Sequence, residues 1–264
     1  MDKLISVIIP THNRNELTDK AVLSVVTTFP YAVEILVIDD CGSSPYAFNH
    51  INASGVSVKV IRLDKNIGAG MARHAGVELS LGRYIAFLDS DDRYDAGWID
   101  YLFNLLGPDS ADFKSPVFIS GITQGGKKFG AIVRDLLINL PDSFQLIVVR
   151  IISVLFNPFY TPSIVMSKEL CVFMRRLRHC EDYYSTAFAL FGANKIILPQ
   201  VIACHLGRIP NTHGGESAAK KNMFCGEMKV RLAFISSKVP LYLKLMVPFG
   251  MVYQIARTII KILL

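Results

Sequence analysis

The sequence predicts an α/β protein built on a mostly parallel, doubly wound sheet, and three observations carry that prediction. Short apolar runs rich in β-branched residues recur at residues 4–9, 34–38, 56–63 and 84–88. Helix-like stretches separate them, the pattern of parallel strands joined by crossovers. Three of the four runs stop at polar or acidic residues: Pro10 and Thr11, Asp39 and Asp40, and the segment Asp89-Ser90-Asp91-Asp92. In an open parallel sheet the carboxyl ends of the strands share one edge, and such folds bind ligands there.

Each element follows from local chemistry. After the first strand, Thr11 to Glu16 is a polar loop, and Asn15 is placed to cap a helix over 16–28. After the second, Cys41-Gly42-Ser43-Ser44-Pro45 makes a turn. Asn66-Ile67-Gly68-Ala69-Gly70 opens a helix that runs to about Ser80, with Gly82 as its stop. The fingerprint of dinucleotide-binding loops is not met there, because its third glycine is replaced by Arg73 and the loop follows the third strand. That excludes a Rossmann dehydrogenase. The glycines are expected instead to bring backbone close to a ligand. Arg73 either contacts phosphate or is a solvated helix arginine. The fourth strand delivers Asp89 and Asp91, two carboxylates flanking one small residue, which can share a hard divalent cation; the alternative is an acidic turn in which Asp92 or Asp95 caps the next helix.

Residues 96–107 form an amphipathic helix around Trp98, Ile99, Leu102, Phe103 and Leu106, all core positions. A strand region is expected over 113–122 and a hairpin turn at Gly125-Gly126-Lys127-Lys128. Residues 132–160 are strongly apolar, and 151–167 carry no charge but are broken by Asn157, Pro158 and Pro162, too short and interrupted to span a bilayer. They form either a greasy lip near an acceptor site or a buried helix pair. Arg175, Arg176, Arg178 and His179 precede Glu181-Asp182, and a helical pattern follows over 183–191. Carboxylates at a helix N-terminus act as caps, or, in a catalytic setting, as a base kept ionised by a dipole that lowers its pKa. Strands are expected over 196–198 and 201–206, with His205, Arg208, His213 and a Gly214-Gly215 loop at their end.

Composition narrows the setting. The chain has 264 residues, 51% of them hydrophobic, and a positive mean hydropathy. The apolar strand pattern begins at once, so no signal peptide is expected. Five cysteines without C-x-x-C spacing read as reduced thiols, not as a disulfide frame or a zinc site. Residues 1–110 hold 9 Lys/Arg and 14 Asp/Glu, a charge of −5, whereas the whole chain is +6 and the remainder therefore +11. The acidic part contains the candidate metal ligands. The basic part predicts an anionic surface or substrate, and membrane is favoured because no nucleic-acid motif accompanies it.

Taken together, Ser6-Val7-Ile8-Ile9-Pro10-Thr11-His12-Asn13-Arg14, Ile38-Asp39-Asp40-Cys41-Gly42-Ser43, Asn66-Ile67-Gly68 with Ala72-Arg73, Leu88-Asp89-Ser90-Asp91-Asp92 and Glu181-Asp182-Tyr183 resemble the ordered signatures of family 2 glycosyltransferases. The likeness is dense over 4–110 and thin over 161–217. It implies a GT-A fold in which 1–110 is the nucleotide-sugar-binding half and 111–220 the acceptor-binding half of one domain. It implies inverting transfer from a nucleotide-diphosphate sugar, a UDP-sugar in the first instance, to a lipid-linked saccharide in bacterial envelope polysaccharide synthesis. By position, Pro10, Thr11, His12 and Arg14 would line the base pocket, and Asp40 would hold the base edge. Arg73 would lie near phosphate, and Ser90 near the sugar or ribose. Asp89 and Asp91 would match the D-x-D element that binds Mg2+ or Mn2+, with Asp91 the direct ligand and His205 a further one. Asp182 would match the catalytic base. Two positions depart from the family pattern: Cys41 stands where glycine is usual, and His74 where asparagine is common.

The chain's own chemistry agrees with single-displacement transfer, since no Ser/His/Asp or Cys/His arrangement offers a covalent nucleophile. A sugar-1-phosphate nucleotidyltransferase would need a glycine-rich Arg/Lys loop after strand one, where Pro10-Thr11-His12-Asn13-Arg14 stands. A non-catalytic scaffold of a polysaccharide-assembly complex would not need Asp91 or Asp182. Residues 221–264 read as a basic amphipathic helical tail. Lys229, Arg231, Lys238, Lys244, Arg257 and Lys261 lie among aliphatics, and no acidic residue follows Glu227. This suits a helix lying in the headgroups of an anionic leaflet, on the cytoplasmic face of the cell membrane, or else a tail packed on protein.

Overall fold

The computed structural model describes residues 4–50, 55–107, 116–124, 135–172, 180–207 and 220–263. The elements run β1 (Ile5–Thr11), α1 (Asn15–Leu23), β2 (Val33–Asp39), β3 (Ser57–Arg62), α2 (Ala69–Leu79), β4 (Tyr84–Phe87), β5 (Arg93–Tyr94), α3 (Trp98–Leu106), β6 (Val117–Ser120) and β7 (Ile122–Gln124). They continue with α4 (Asp142–Leu155), β8 (Ile164–Ser167), α5 (Glu181–Gly192), β9 (Lys195–Ile197), β10 (Ile202–His205), α6 (Lys220–Ser236) and α7 (Leu241–Leu263). The 125–128 turn, the 175–179 basic cluster and Arg208, His213 and Gly214-Gly215 lie outside the described residues.

Seven strands form one sheet in the order β3-β2-β1-β4-β8-β6-β9. β1 to β4 are parallel, as the alternation of strands and helices predicts. β8 runs antiparallel between β4 and β6, and β9 returns parallel to β6. The edge strand β3 alternates exposed Ser57, Lys59 and Arg62 with partly buried residues, a charged edge of the kind that resists pairing with other chains. β5, β10 and β7 make a small second sheet.

The strand period of two sorts β1 to both faces. Ile5, Val7 and Ile9 pack with α1 and α3 through Val22, Trp98 and Leu102. Ile8 packs on the opposite face with Ala72 and Val77 of α2 and Ala189 and Leu190 of α5. This is the double winding in terms of side chains. Trp98, Ile99, Leu102 and Leu106 are buried as their spacing predicts, and Phe103 stacks on Phe29 with ring centroids 3.8 Å apart.

Local expectations need correction at three places. Asn15 is the first residue of α1 and not its cap; Arg14 takes the cap position without a capping side-chain bond, and the helix stops at Leu23. Gly82 does not end α2, which stops at Leu79 with extended Ser80 behind it. Gly82 is required where the chain crosses β1: its amide donates to Ser6 Oγ over 2.8 Å, and a Cβ would lie 2.5 Å from the Ser6 nitrogen. The greasy segment after 132 is mostly helix α4, whose Val149 and Val154 are buried while Phe144 and Ile147 face outward.

The last two helices pack on the domain. Val230 and Phe234 of α6 and Leu243 and Val247 of α7 join Val154 of α4 and Tyr183 and Ala187 of α5 in a third core. Arg231 is fully buried there, donating to the Leu155 carbonyl and to Glu227, with its guanidinium 5.6 Å from the Tyr183 ring centroid. α7 also carries an outward apolar face: Leu241, Leu245, Phe249 and Val252 are each more than 60% exposed, at the three- and four-residue spacing of one helix side. Among the described residues, no helix is long and apolar enough to cross a membrane.

Candidate functional site at the carboxyl edge of the sheet

Because β1, β2 and β4 are parallel neighbours, Thr11, Asp39-Asp40 and Asp89 to Asp92 emerge side by side. The two aspartates after β2 then divide their labour. Asp39 is buried; its carboxylate receives the Gly42 and Tyr46 amides at 3.0 Å and Arg62 Nη1 at 2.6 Å. Burial works against its charge, but those amides and the Arg62 guanidinium outweigh burial and hold its pKa below the ordinary carboxylate value. Asp39 is thus a fastener of the turn. Asp40 Oδ1 and Oδ2 accept the Ile67 and Gly68 amides at 2.7 and 2.8 Å, so this carboxylate ties β2 to the loop before α2.

Beside it, Thr11 Oγ1 and Thr18 Oγ1 lie 2.6 Å apart. Exposed His12 donates from Nδ1 to the Asp40 carbonyl over 3.0 Å. Pro10 completes the end of β1. Cys41 adopts φ +54°, in the left-handed region. That region costs a side-chain-bearing residue about 1–2 kcal/mol, which gives a physical reason for glycine at this position in the family pattern.

Arg73 organises the centre. Its side chain is 8% exposed and reaches Asp89 through Nη2 and Glu181 Oε1 through Nη1 at 3.3 Å. Burial alone would weaken its charge, but Asp89 and Glu181 outweigh that and raise its pKa further. It is not a solvated helix arginine, being buried between two carboxylates. Gly70 makes the link possible: a Cβ there would lie 2.0 Å from Glu181 Cγ. The close approach expected of this glycine is therefore to Glu181. Arg14 Nη1 donates to Asp91 Oδ2 over 3.0 Å, with both side chains partly exposed. Ser90 is buried between the two aspartates, and Asp92 accepts the Gly207 amide at 2.8 Å.

Glu181 and Asp182 open α5, but neither caps it. The cap is Cys180, at φ +62° and without a side-chain bond. Asp182 is largely desolvated, and this raises its pKa; Arg73 and the Tyr183 amide oppose the rise without cancelling it. The expected lowering by the helix terminus is thus outweighed by desolvation. Asp182 also borders a cavity of about 300 Å³ between the 156–160 loop and the last two helices. His205, opposite Arg93 where β10 pairs with β5, has its Nε2 3.2 Å from Asp95 Oδ2, and both side chains are partly exposed.

The structure therefore brings together Thr11, His12, Arg14, Asp40, Arg73, Asp89, Ser90, Asp91 and Asp182, while His205 is paired with Asp95. The reading of the sequence missed Glu181 as the second partner of Arg73. Its signal was the pairing of an acidic dipeptide with one buried arginine, which becomes visible only when α2 and α5 are seen to meet.

Comparison with known proteins is consistent with this geometry. The sequence pattern of the family described as Glycosyl transferase family 2 matches residues 6–147, more than half of the chain. A putative teichuronic acid biosynthesis glycosyltransferase, TuaG of Bacillus subtilis, is 33% identical over 93 residues, 34% of this chain and 37% of that protein. The UDP-Glc:alpha-D-GlcNAc-diphosphoundecaprenol beta-1,3-glucosyltransferase WfgD of Escherichia coli is 30% identical over 112 residues, 42% of this chain and 44% of that protein. The aligned region thus spans less than half of these relatives. Among solved structures, S. aureus TarS 1-349 in complex with UDP-GlcNAc superposes with a TM-score of 0.66 at 16% identity, covering 96% of this chain and 73% of that one. The mannosyltransferase PcManGT from Pyrobaculum calidifontis, in complex with GDP-Man and Mn2+, gives 0.61 at 14% identity, covering 97% and 74%. These structures share the GT-A fold with this chain.

Proposed function

The chain belongs to glycosyl transferase family 2, and from that premise we propose that it moves a sugar, with inversion, from a nucleotide-diphosphate sugar to a hydroxyl of a lipid-linked saccharide in envelope polysaccharide synthesis. The observation that carries the proposal is the buried Arg73, which joins Asp89 of the D-x-D segment to Glu181 beside Asp182. Two motifs almost a hundred residues apart thereby face one another across the sheet edge.

Asp182 acts as the base. Its carboxylate accepts the acceptor hydroxyl's proton as the acceptor oxygen bonds the anomeric carbon, while the bond from that carbon to the diphosphate oxygen breaks and its electron pair leaves with the nucleotide. A raised pKa suits this role, since a stronger base takes the proton more readily near neutral pH. Thr11, His12, Arg14 and Asp40 border the place for the nucleotide, and Ser90 lies towards the sugar. Asp89 and Asp91 would hold the divalent cation, Mg2+ or Mn2+, whose chemistry there is to neutralise the departing diphosphate. They fit it: both are hard oxygen donors, 31% and 36% exposed, each held in place by an arginine. Among the described residues, no group of three His, Cys, Asp or Glu gathers for a metal. Diphosphate and water would supply the remaining ligands of such an ion. His205 would have to leave Asp95 to join.

The test is nucleotide release from a panel of UDP-, GDP- and dTDP-sugars with Mg2+, with Mn2+ and with chelator. At least one donor should release nucleoside diphosphate in a metal-dependent manner. Absence of release from every donor, with and without acceptor lipid extracts, would reject the reading and favour a scaffold.

A second part of the proposal places the protein on an anionic leaflet through the outer face of α7. Leu245, Phe249 and Val252 are exposed there, beside exposed Lys238 and partly exposed Lys244. Each basic residue near such a surface contributes about 1 kcal/mol, weakened by salt. Because α7 also covers α4, deleting it would uncover core, so substitution is the better probe. Full-length protein should float with anionic liposomes at low salt. A Leu245→Ser, Phe249→Ser, Val252→Ser variant should stay in the soluble fraction, and equal flotation would remove α7 from the interface.

A further inference from the structure

The cavity beside Asp182 is walled on its far side by the C-terminal helices. Met223 and Glu227 of α6 and Tyr253 and Arg257 of α7 line it together with Phe156 and Asp182. Its chemistry is specific. The Phe156 and Tyr253 rings lie 6.1 Å apart, centre to centre, at 41° to one another, forming an aromatic corner. Glu227 is 12% exposed, and its Oε1 stands 3.7 Å from Arg257 Nη1. The guanidinium and carboxylate are an ion pair at a separation longer than a hydrogen bond, which leaves each with hydrogen-bonding capacity toward the cavity. Arg257, one third exposed, presents its donors to the cavity mouth. Aromatic faces receive the C–H side of a pyranose ring, and a carboxylate beside a guanidinium offers an acceptor and donors for its hydroxyls. The volume, about 300 Å³, is at the small end of ligand sites.

We propose that this cavity is the acceptor subsite, and that Tyr253, Glu227 and Arg257 hold the pyranose ring whose hydroxyl faces Asp182. The proposal rests on the glycosyltransferase reading and deepens it, because it assigns acceptor selection to the helical hairpin α6–α7. Tyr253 and Arg257, four residues apart, border the cavity, while Leu245, Phe249 and Val252 face outward from the same helix. A saccharide carried on a lipid would so arrive with its carrier alongside that apolar face.

The experiment is saturation-transfer NMR titration of the full chain, in the presence of UDP and Mg2+, with methyl glycosides of glucose, N-acetylglucosamine, galactose, mannose and rhamnose. At least one glycoside should bind. Arg257→Gln and Tyr253→Leu, both at partly exposed positions, should weaken that binding by about tenfold, the loss of one charge-assisted bond or one stacking face, with unchanged thermal unfolding and unchanged UDP affinity. Binding of none of the glycosides, or equal binding by wild type and both variants, would overturn the assignment. UDP affinity is read in the same samples: its absence in wild type would contradict the proposed donor chemistry and leave the glycoside result to decide the cavity separately.

Discussion

Asp182→Asn will lower glycosyl transfer by about two orders of magnitude or more while donor affinity is retained. The change is nearly isosteric but removes the proton acceptor, and a positioned base contributes on that scale. The pH dependence adds a signature that a structural role would not give. A base works deprotonated, so the rate rises with pH through its pKa, which desolvation places above the ordinary carboxylate value. Arg73 is the principal opposing influence. Arg73→Gln should therefore raise the pKa further and move the acid limb of kcat/KM to higher pH. The check is a pair of pH–rate profiles. An unchanged rate in Asp182→Asn, or an acid limb that moves down when Arg73 is neutralised, would leave Asp182 as a residue of the helix terminus.

Asp91→Asn will abolish the metal dependence of donor binding and leave stability nearly untouched. Asp91 is 36% exposed and its partner Arg14 42% exposed. An ion pair of that exposure contributes at most about 1 kcal/mol. Asp89 is the poorer probe. Removing its charge would take from the buried guanidinium of Arg73 one of its two hydrogen-bonded carboxylates, so it would cost stability as well as metal binding. Calorimetric titration with nucleoside diphosphate, with and without Mn2+, separates the two substitutions. If Asp91→Asn kept a full metal response, the ligand would lie elsewhere.

Much of this architecture could be read from residue order, and the misses have a common cause. The alternation of apolar runs with helical stretches up to Leu106 is local information, and so is the arrival of Thr11, Asp40 and Asp89 at one edge. Arg73 with Glu181, and Gly70 with Glu181, are decided by two helices that meet across the sheet. No local spacing encodes that. β8 was hidden because Ile164–Ser167 is four apolar residues inside a longer uncharged run, where periodicity cannot separate strand from helix. The tail showed its basic, amphipathic character, but the buried face of α7, with Leu243 and Val247 packed towards α4 and α6, depends on a core that only the assembled domain possesses. Asp182 shows the same limit in electrostatics: position at a helix start favours the anion, yet desolvation prevails.

The central claim is that one displacement occurs at the anomeric carbon, with Asp182 as the base and a metal-dependent nucleotide-sugar donor. It is tested most directly by following the anomeric proton by NMR during turnover of an α-linked nucleotide sugar with Mg2+. The account predicts that the sugar first appears in the β configuration, in the acceptor product or in the hydrolysed sugar before mutarotation. First appearance of the α anomer would mean retention and would contradict a single displacement driven by Asp182.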